Sequence, residues 1–341
     1  DHESYAYEEG LEKLQKGMKL AIREASAARN FEALWPLLED YPDDIFFCSD
    51  DKHPDDLLKG HINQLVARAV ARGIDVFDAI RAATINPVQH YGLDVGLVRE
   101  GDPADFVILN DLESFKPKET WIDGAKVAEN GRDLLESVPA TEPNIMRAEE
   151  TAAEDFVLKE TPTNVQVIKA VDGALVTESE TANLPNKLRE ERQIFPEDDL
   201  LKITVVNRYK PADPEVAYIR GFGLEGGAIG STVAHDSHNI LAVGCTEGEI
   251  SAVVNALIAC KGGIAACKGK EIRTLPLPVA GLMSTEDGET VGYKYENLDR
   301  WTKETLGSNL SAPFMTLSFM ALLVIPSLKI SDKEIGRASC R

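Results

Sequence analysis

The chain has 341 residues, 43% of them hydrophobic, which is enough for two domains that each bury a core. Its 57 acidic against 36 basic residues leave a net charge of −21, a field that repels phosphate backbones and anionic lipid and so excludes nucleic acid and membranes as partners. Five cysteines, Cys48, Cys245, Cys260, Cys267 and Cys340, are odd in number and show no C-x-x-C spacing, so the expectation is neither a zinc knuckle nor a disulfide framework but a reducing cytoplasm.

In chain order, Leu11, Leu14 and Met18 recur at helical spacing. Met18, Leu20 and Ile22 then alternate with Lys19, Ala21 and Arg23 in the two-residue period of a strand. Asn30 is placed to cap a helix carrying Phe31, Leu34, Leu37 and Leu38, broken by Pro36 and ended near Pro42. Ile45-Phe46-Phe47-Cys48 reads as a strand buried on both faces. A helix from about Asp55 to Ala71 follows, its apolar face made by Leu57, Leu58, Ile62, Leu65, Val66 and Ala69, and Asp75 caps a shorter one through Val76, Ala79, Ile80 and Ala83. Over 1–90 this is βα repetition, too short for a whole barrel.

From Gly92 the grammar changes to short strands and turns, with Asp123-Gly124 between apolar runs as a hairpin signal. We assign 91–135 to this segment and 136–164, acidic and polar, to a linker or surface excursion. A second hairpin is expected around Asp172-Gly173, a strand at Ile203–Val206 and a helix through Ile250, Val253, Val254, Leu257 and Ile258, so that 165–333 forms a separate α+β domain. Gly221 to Gly227 lacks the Gly-Lys-Ser/Thr ending of a phosphate loop and reads as a tight turn. Met315 to Ile325, the longest apolar run, is too short to span a bilayer and reads as core.

Two polar clusters carry the chemistry. Asp1-His2-Glu3 and Cys48-Ser49-Asp50-Asp51-Lys52-His53 look like halves of one metal site, the second delivered to the carboxyl end of its strand, where α/β barrels keep catalytic residues. Successive strand residues face opposite ways, so one of Asp50 and Asp51 points inward; the bland alternative is a capping turn ahead of Pro54. Glu3 either orients His2 or is a solvated carboxylate, and His53 either reaches substrate or caps the following helix. In the second half, His235-Asp236-Ser237-His238 either contributes to a pocket or makes hydrogen bonds in a tight turn.

Ala83-Thr84-Ile85-Asn86-Pro87 followed by Gly101-Asp102-Pro103-Ala104-Asp105-Phe106-Val107 resembles the closing segment of amidohydrolase-superfamily enzymes. More narrowly, the chain is similar to the adenine deaminase family of bacteria and archaea, on Asp1-His2-Glu3, Ile22 to Asn30, Ser49 to Leu57, Val233 to Ile240 and Leu275 to Ser284. Ala25 departs from the glycine of that pattern. The resemblance implies an α/β fold: the C-terminal part of a TIM-type (β/α)8 barrel with a small β-sandwich segment, followed by an α+β domain. It implies hydrolysis of adenine to hypoxanthine and ammonia at a binuclear Mn or Fe centre, with the small molecule adenine as partner and a homo-oligomer left open. His2 matches a metal-binding histidine after the sixth barrel strand. Asp50 matches the aspartate after the eighth, which holds metal and moves the proton, with Asp51 as the near alternative. Glu3 would assist in catalysis, and Asp51, His53, His235 and His238 are the candidates for substrate contact. The superfamily's H-x-H and its ligands from the fourth and fifth strands are not found, so the chain alone is expected to be inactive, with its start cut away and 334–341 a non-native tail. The H-x-E and P-C-x-x-C signature of deaminases that act on flipped bases is absent. The rival readings are another amidohydrolase acting on a cyclic amide or nucleobase, and a non-catalytic binding or oligomerisation module.

Overall fold

A computed structural model describes residues 1–158, 163–184 and 194–337. The chain divides into two compact units, Asp1–Pro139 and Ala140–Arg341.

In the first unit, strands β1 (Leu20–Arg23) and β2 (Ile45–Cys48) pair in parallel, Leu20 opposite Ile45 and Arg23 opposite Cys48. Asp1 extends that pairing on the other side of β1. Its amino group donates to Lys19 O at 2.9 Å and its carbonyl accepts from Ala21 N–H at 2.8 Å, the slanted bonding of a parallel neighbour. Helices α1 (Tyr7–Gln15), α2 (Phe31–Leu34), α3 (Pro54–Lys59), α4 (Ile62–Ala71), α5 (Val76–Ala83) and α6 (Ile85–Tyr91) supply the rest of the layer. Leu20, Ile22, Ile45 and Phe47 form one core with Phe31, Leu34, Leu65 and Ala79. All four β1 residues are buried, as an apolar run covered on both faces requires.

Two local expectations change here. The helix expected from Asp55 to Ala71 is two helices, because Gly60 adopts φ 147° and turns the chain before His61. Asn30 stands before α2 without capping it; its side chain is committed elsewhere, as described below. Asp75 does cap α5, accepting from Phe77 N–H at 2.8 Å and Asp78 N–H at 3.4 Å. Strands β3 (Phe106–Leu109), β4 (Pro117–Ile122), β5 (Ala125–Glu129) and β6 (Arg132–Asp133) form a four-stranded antiparallel sheet, with Asp123-Gly124 at the β4–β5 turn.

The second unit is built on eight strands: β7 (Asn164–Ala170), β8 (Thr177–Asn183), β9 (Leu201–Val206), β10 (Glu215–Arg220), β11 (Ala228–Ser231), β12 (Ile240–Gly244), β13 (Gly263–Lys268) and β14 (Glu271–Pro276). Their order is β14-β13-β11-β12-β9-β10-β7-β8, antiparallel except where β10 meets β7. Helix α7 (Glu247–Ala259) lays Ile250, Val253, Val254 and Leu257 on Ala228, Ala242 and Ala265, small residues that let a helix sit close to a sheet. Helix α8 (Gly288–Leu306), the fully buried α9 (Pro313–Phe319) and a hairpin of β15 (Leu328–Ile330) with β16 (Ile335–Arg337) complete it. The apolar run read as core is buried through Leu322, whereas Leu323 and Val324 are exposed. Between Pro143 and Phe156 the acidic stretch is tied to this unit: Arg147 N–H donates to Arg208 O, Thr151 N–H to Asn255 Oδ1, and Phe156 is fully buried. Of the expected tail, Ile335–Arg337 pairs with β15, and 338–341 lie outside the described residues. Among the described residues, no helix is long and apolar enough to cross a membrane.

Candidate active site

The polar ends of three neighbouring parallel segments meet in the first unit. His2 Nε2 lies 3.1 Å from Asp50 Oδ2, joining the two clusters that the sequence separates by 47 residues. Asp50 has φ 53°, a left-handed conformation that aspartate tolerates better than most residues, and its Oδ1 accepts from Asp51 N–H at 2.7 Å. The strand has therefore ended before the pair, and the alternation that was expected to send one aspartate in and one out does not operate. Both carboxylates instead face one guanidinium. Arg23 Nη1 is 3.2 Å from Asp50 Oδ2 and 3.7 Å from Glu3 Oε1, and Nη2 is 3.9 Å from Asp51 Oδ2. Glu3 thus faces Arg23.

Arg23 is 2% exposed at the carboxyl end of β1. The strand alternation puts it among the outward residues, though a lone arginine closing Leu-Ala-Ile is a legible signal: a cation at the end of a doubly buried strand needs a partner. Asn30 is the second residue missed as a site element. Its Oδ1 accepts from Arg23 N–H at 2.7 Å, and its Nδ2 donates to His2 O at 3.2 Å and Ser4 O at 3.0 Å. Buried and doubly engaged, it holds the His2 segment against β1, which is why it does not cap α2.

Ser26 ties the Asp51 loop to β1, its N–H donating to Asp51 O at 3.0 Å and its Oγ to Asp56 Oδ2 at 2.7 Å. His53 N–H donates to the same Oγ at 2.8 Å; the residue precedes α3, and its side chain makes no capping bond. Cys48, beneath Asp50, has its thiol pushed up to about 11 by burial and then by the Asp50 charge, so it stays protonated at neutral pH. His61 Nε2 lies 2.9 Å from Ser49 Oγ, and burial, then Lys52, lowers its pKa.

The aspartates of the closing segment serve the fold. Asp105 accepts from Gly96 and Asp123 N–H, both at 2.8 Å, which holds its carboxyl below the usual range. Asn86 is buried and donates to Pro42 O and Ile45 O, fixing the start of β2.

In the second unit, His235 Nδ1 is 2.6 Å from Ser318 Oγ, and His238 Nδ1 accepts from Ala234 N–H at 3.2 Å. The two rings are 5.7 Å apart. Both histidines sit in a turn between β11 and β12.

Among the described residues, no three His, Cys, Asp or Glu side chains converge to hold a metal ion. His2 and Asp50 do converge as a pair, at a separation usual for two ligands of one cation. An imidazole with a carboxylate is a donor set that divalent Mn, Fe and Zn accept. The pair therefore fits one ion as a partial site and does not by itself make a binuclear one.

The carboxyl ends of parallel strands are where α/β folds keep their sites, and residues 8–127 match the Amidohydrolase family model. Residues 174–336 match the Adenine deaminase C-terminal domain. Three similar relatives, each named adenine deaminase, come from Sulfurovum sp. strain NBC37-1 (53% identical, covering 100% of this chain and 64% of the relative), Salinibacter ruber (50%, 98% and 61%) and Methanosarcina mazei (47%, 98% and 62%). Over 98–100% of its length the chain is similar to these proteins named adenine deaminase. It spans less than two thirds of the length of these relatives.

Proposed function

We propose that this chain provides the His2–Asp50 part of the active site of an enzyme that hydrolyses adenine to hypoxanthine and ammonia. The observation that carries the reading is the 3.1 Å approach of His2 Nε2 to Asp50 Oδ2, at the ends of parallel segments that correspond, in this reading, to the last three strands of a TIM-type barrel. Residues 91–135 then complete a small β-sandwich, and 165–333 form the family's C-terminal domain.

His2 and Asp50 are the residues that would hold one divalent ion, Mn or Fe. Such an ion, when bound, makes a water acidic enough to yield hydroxide near neutral pH. Asp50 is the proton carrier: it accepts one proton of the water as the oxygen bonds to C6 of adenine and the C6–N1 double bond opens, and returns it to the exocyclic nitrogen as the C–N bond breaks and ammonia leaves, while the second proton of the water ends on N1 as the C6–O bond becomes the carbonyl of hypoxanthine. Arg23 keeps the carboxylates of Asp50, Glu3 and Asp51 gathered in one orientation, and Asn30 keeps His2 in reach. Asp51 and His53, on the loop held by Ser26, are placed for substrate contact. A reducing cytoplasm suits the free thiols Cys48, Cys245, Cys260 and Cys267.

The test is ammonia release from adenine with Mn(II) supplied, after joining this chain to the N-terminal part of a close relative. Turnover that vanishes in Asp50→Asn supports the reading. A folded, metal-loaded but silent protein redirects it to another amidohydrolase substrate.

A further inference from the structure

Two motifs of the second unit, Val233 to Ile240 and Leu275 to Ser284, have no task in deamination as argued above, yet they meet at one place. β9 ends at Val206, directly opposite Ile240 at the start of β12, so Arg208 and His238 emerge from the same end of adjacent strands. Arg208 N–H donates to Asn239 Oδ1 at 3.2 Å. The 275–284 loop reaches the same guanidinium: Arg208 Nη2 donates to Ala280 O at 2.5 Å and to Asn144 Oδ1 at 3.3 Å. Gly281 has φ 71°, and a Cβ there would stand 2.3 Å from Nη1, so a glycine is needed for the backbone to close over the side chain. Thr232 pins the loop by donating to Gly281 O at 2.6 Å.

Arg208 is 3% exposed, and among the described residues its hydrogen bonds go to carbonyl oxygens, none to a carboxylate. Its Nε and Nη1 have no hydrogen-bond partner. Among the described residues, Arg23 and Lys202 are buried cations with counter-charges, Arg23 from the carboxylates of Asp50, Glu3 and Asp51 and Lys202 from Glu247; Lys329 has none, but its hydrogens go to Leu175 O and Phe319 O and burial lowers its pKa to about 8, a release open to an amine and not to a guanidinium. A buried guanidinium without a counter-charge is strongly unfavourable unless something supplies one. Beside it lies a cavity of about 280 Å³, lined by Arg208 with Asn144, Ile145, Tyr209, His238 and Leu282. Tyr209 Oη donates to Ser237 O at 2.7 Å, which fixes the aromatic wall, and its ring faces the guanidinium at 5.2 Å. Apolar walls with one buried cation are the composition of a small-molecule site.

We propose that this cavity binds a small organic carboxylate. Its negative group compensates Arg208, taking over the long bond that Nη2 now gives Asn144, and its apolar body lies on Tyr209, Ile145 and Leu282. One cation calls for a monoanion; a phosphate would bring a second charge into an already acidic protein. The volume limits the body to about one ring. This site is independent of the deaminase reading.

The experiment is calorimetric titration of the full chain with benzoate, and with uncharged benzamide as the matched control. Benzoate is expected to bind and benzamide to bind about tenfold more weakly or worse, the loss of one charge-assisted hydrogen bond. Leu282→Trp, which fills the cavity without touching the cation, should abolish benzoate binding while thermal unfolding stays cooperative. Arg208→Lys should weaken it about tenfold, because lysine lacks the guanidinium fork; if that variant does not fold, Leu282→Trp decides alone. Equal binding of benzamide, no benzoate binding at about 10 mM, or binding unchanged by Leu282→Trp overturns the proposal.

Discussion

The two units differ in how they bury positive charge, though each holds a buried cation met by a carboxylate, Arg23 in the first and Lys202, against Glu247, in the second. In the first, Arg23 is closed in at the end of β1 but surrounded by the carboxylates of Asp50, Glu3 and Asp51, all of them partly solvent-exposed. In the second, Lys329 is fully buried and gives its hydrogens to Leu175 O and Phe319 O, and Arg208 likewise finds carbonyls. Charge gathered with opposite charge at strand ends and partly open to solvent can take part in chemistry; charge sunk among carbonyls ties loops together or waits for a counter-ion. The sheets differ too: β1 and β2 run parallel to polar ends in the first unit, whereas β11, β12 and β13, the strands under α7 in the second, pair antiparallel.

That contrast can be broken or sharpened by measurement. The largest effect belongs to the first unit: in the joined enzyme, Asp50→Asn should lower adenine turnover by about 10²–10⁴-fold with little change in unfolding temperature, the range expected for losing a positioned proton carrier. Loss of folding instead would make Asp50 structural and erase the distinction. In the second unit the reverse is expected. Leu257→Ala, truncating a fully buried residue between α7 and the sheet, should cost about 2–5 kcal/mol in urea unfolding and leave the His2–Asp50 pair untouched.

Lys329 gives a pH signature. Burial lowers its pKa to about 8, so between about pH 8 and the ordinary lysine value near 10.5 the folded protein holds fewer protons than the unfolded chain. Stability relative to Lys329→Met should therefore rise across that window, by on the order of 3 kcal/mol in total, and stay flat below it; a flat difference from pH 7 to 10 would show the amine to be well solvated. The smallest effect is Asp75→Ala, which removes the cap of α5 and should cost about 1 kcal/mol of stability.

Much of the site was legible one residue at a time. Asp50 stood out because it followed a strand pattern and His2 because it matched a metal-binding histidine of the resembled family, and they do meet. Arg23 was passed over because strand alternation treats an arginine as an outward residue, whereas β1 is buried on both faces. Asn30 was read as a cap because local rules weigh only the next turn; its partners, His2 O and Ser4 O, are 26–28 residues away. The choice between Asp50 and Asp51 rested on strand periodicity continuing past Cys48, and the left-handed turn at Asp50 ended it.

The sequence by itself determined the period of each element, the turns at Asp123-Gly124 and Asp172-Gly173, the Asp75 cap and the family resemblance, because these depend on neighbours a few residues apart or on motifs that survive as strings. Tertiary structure decided which carboxylates share Arg23, that Asn30 serves His2, and that two distant motifs enclose Arg208. Those outcomes depend on strand register and on charge burial, and a buried charge takes whatever partner the fold brings within reach, wherever that partner lies in the chain.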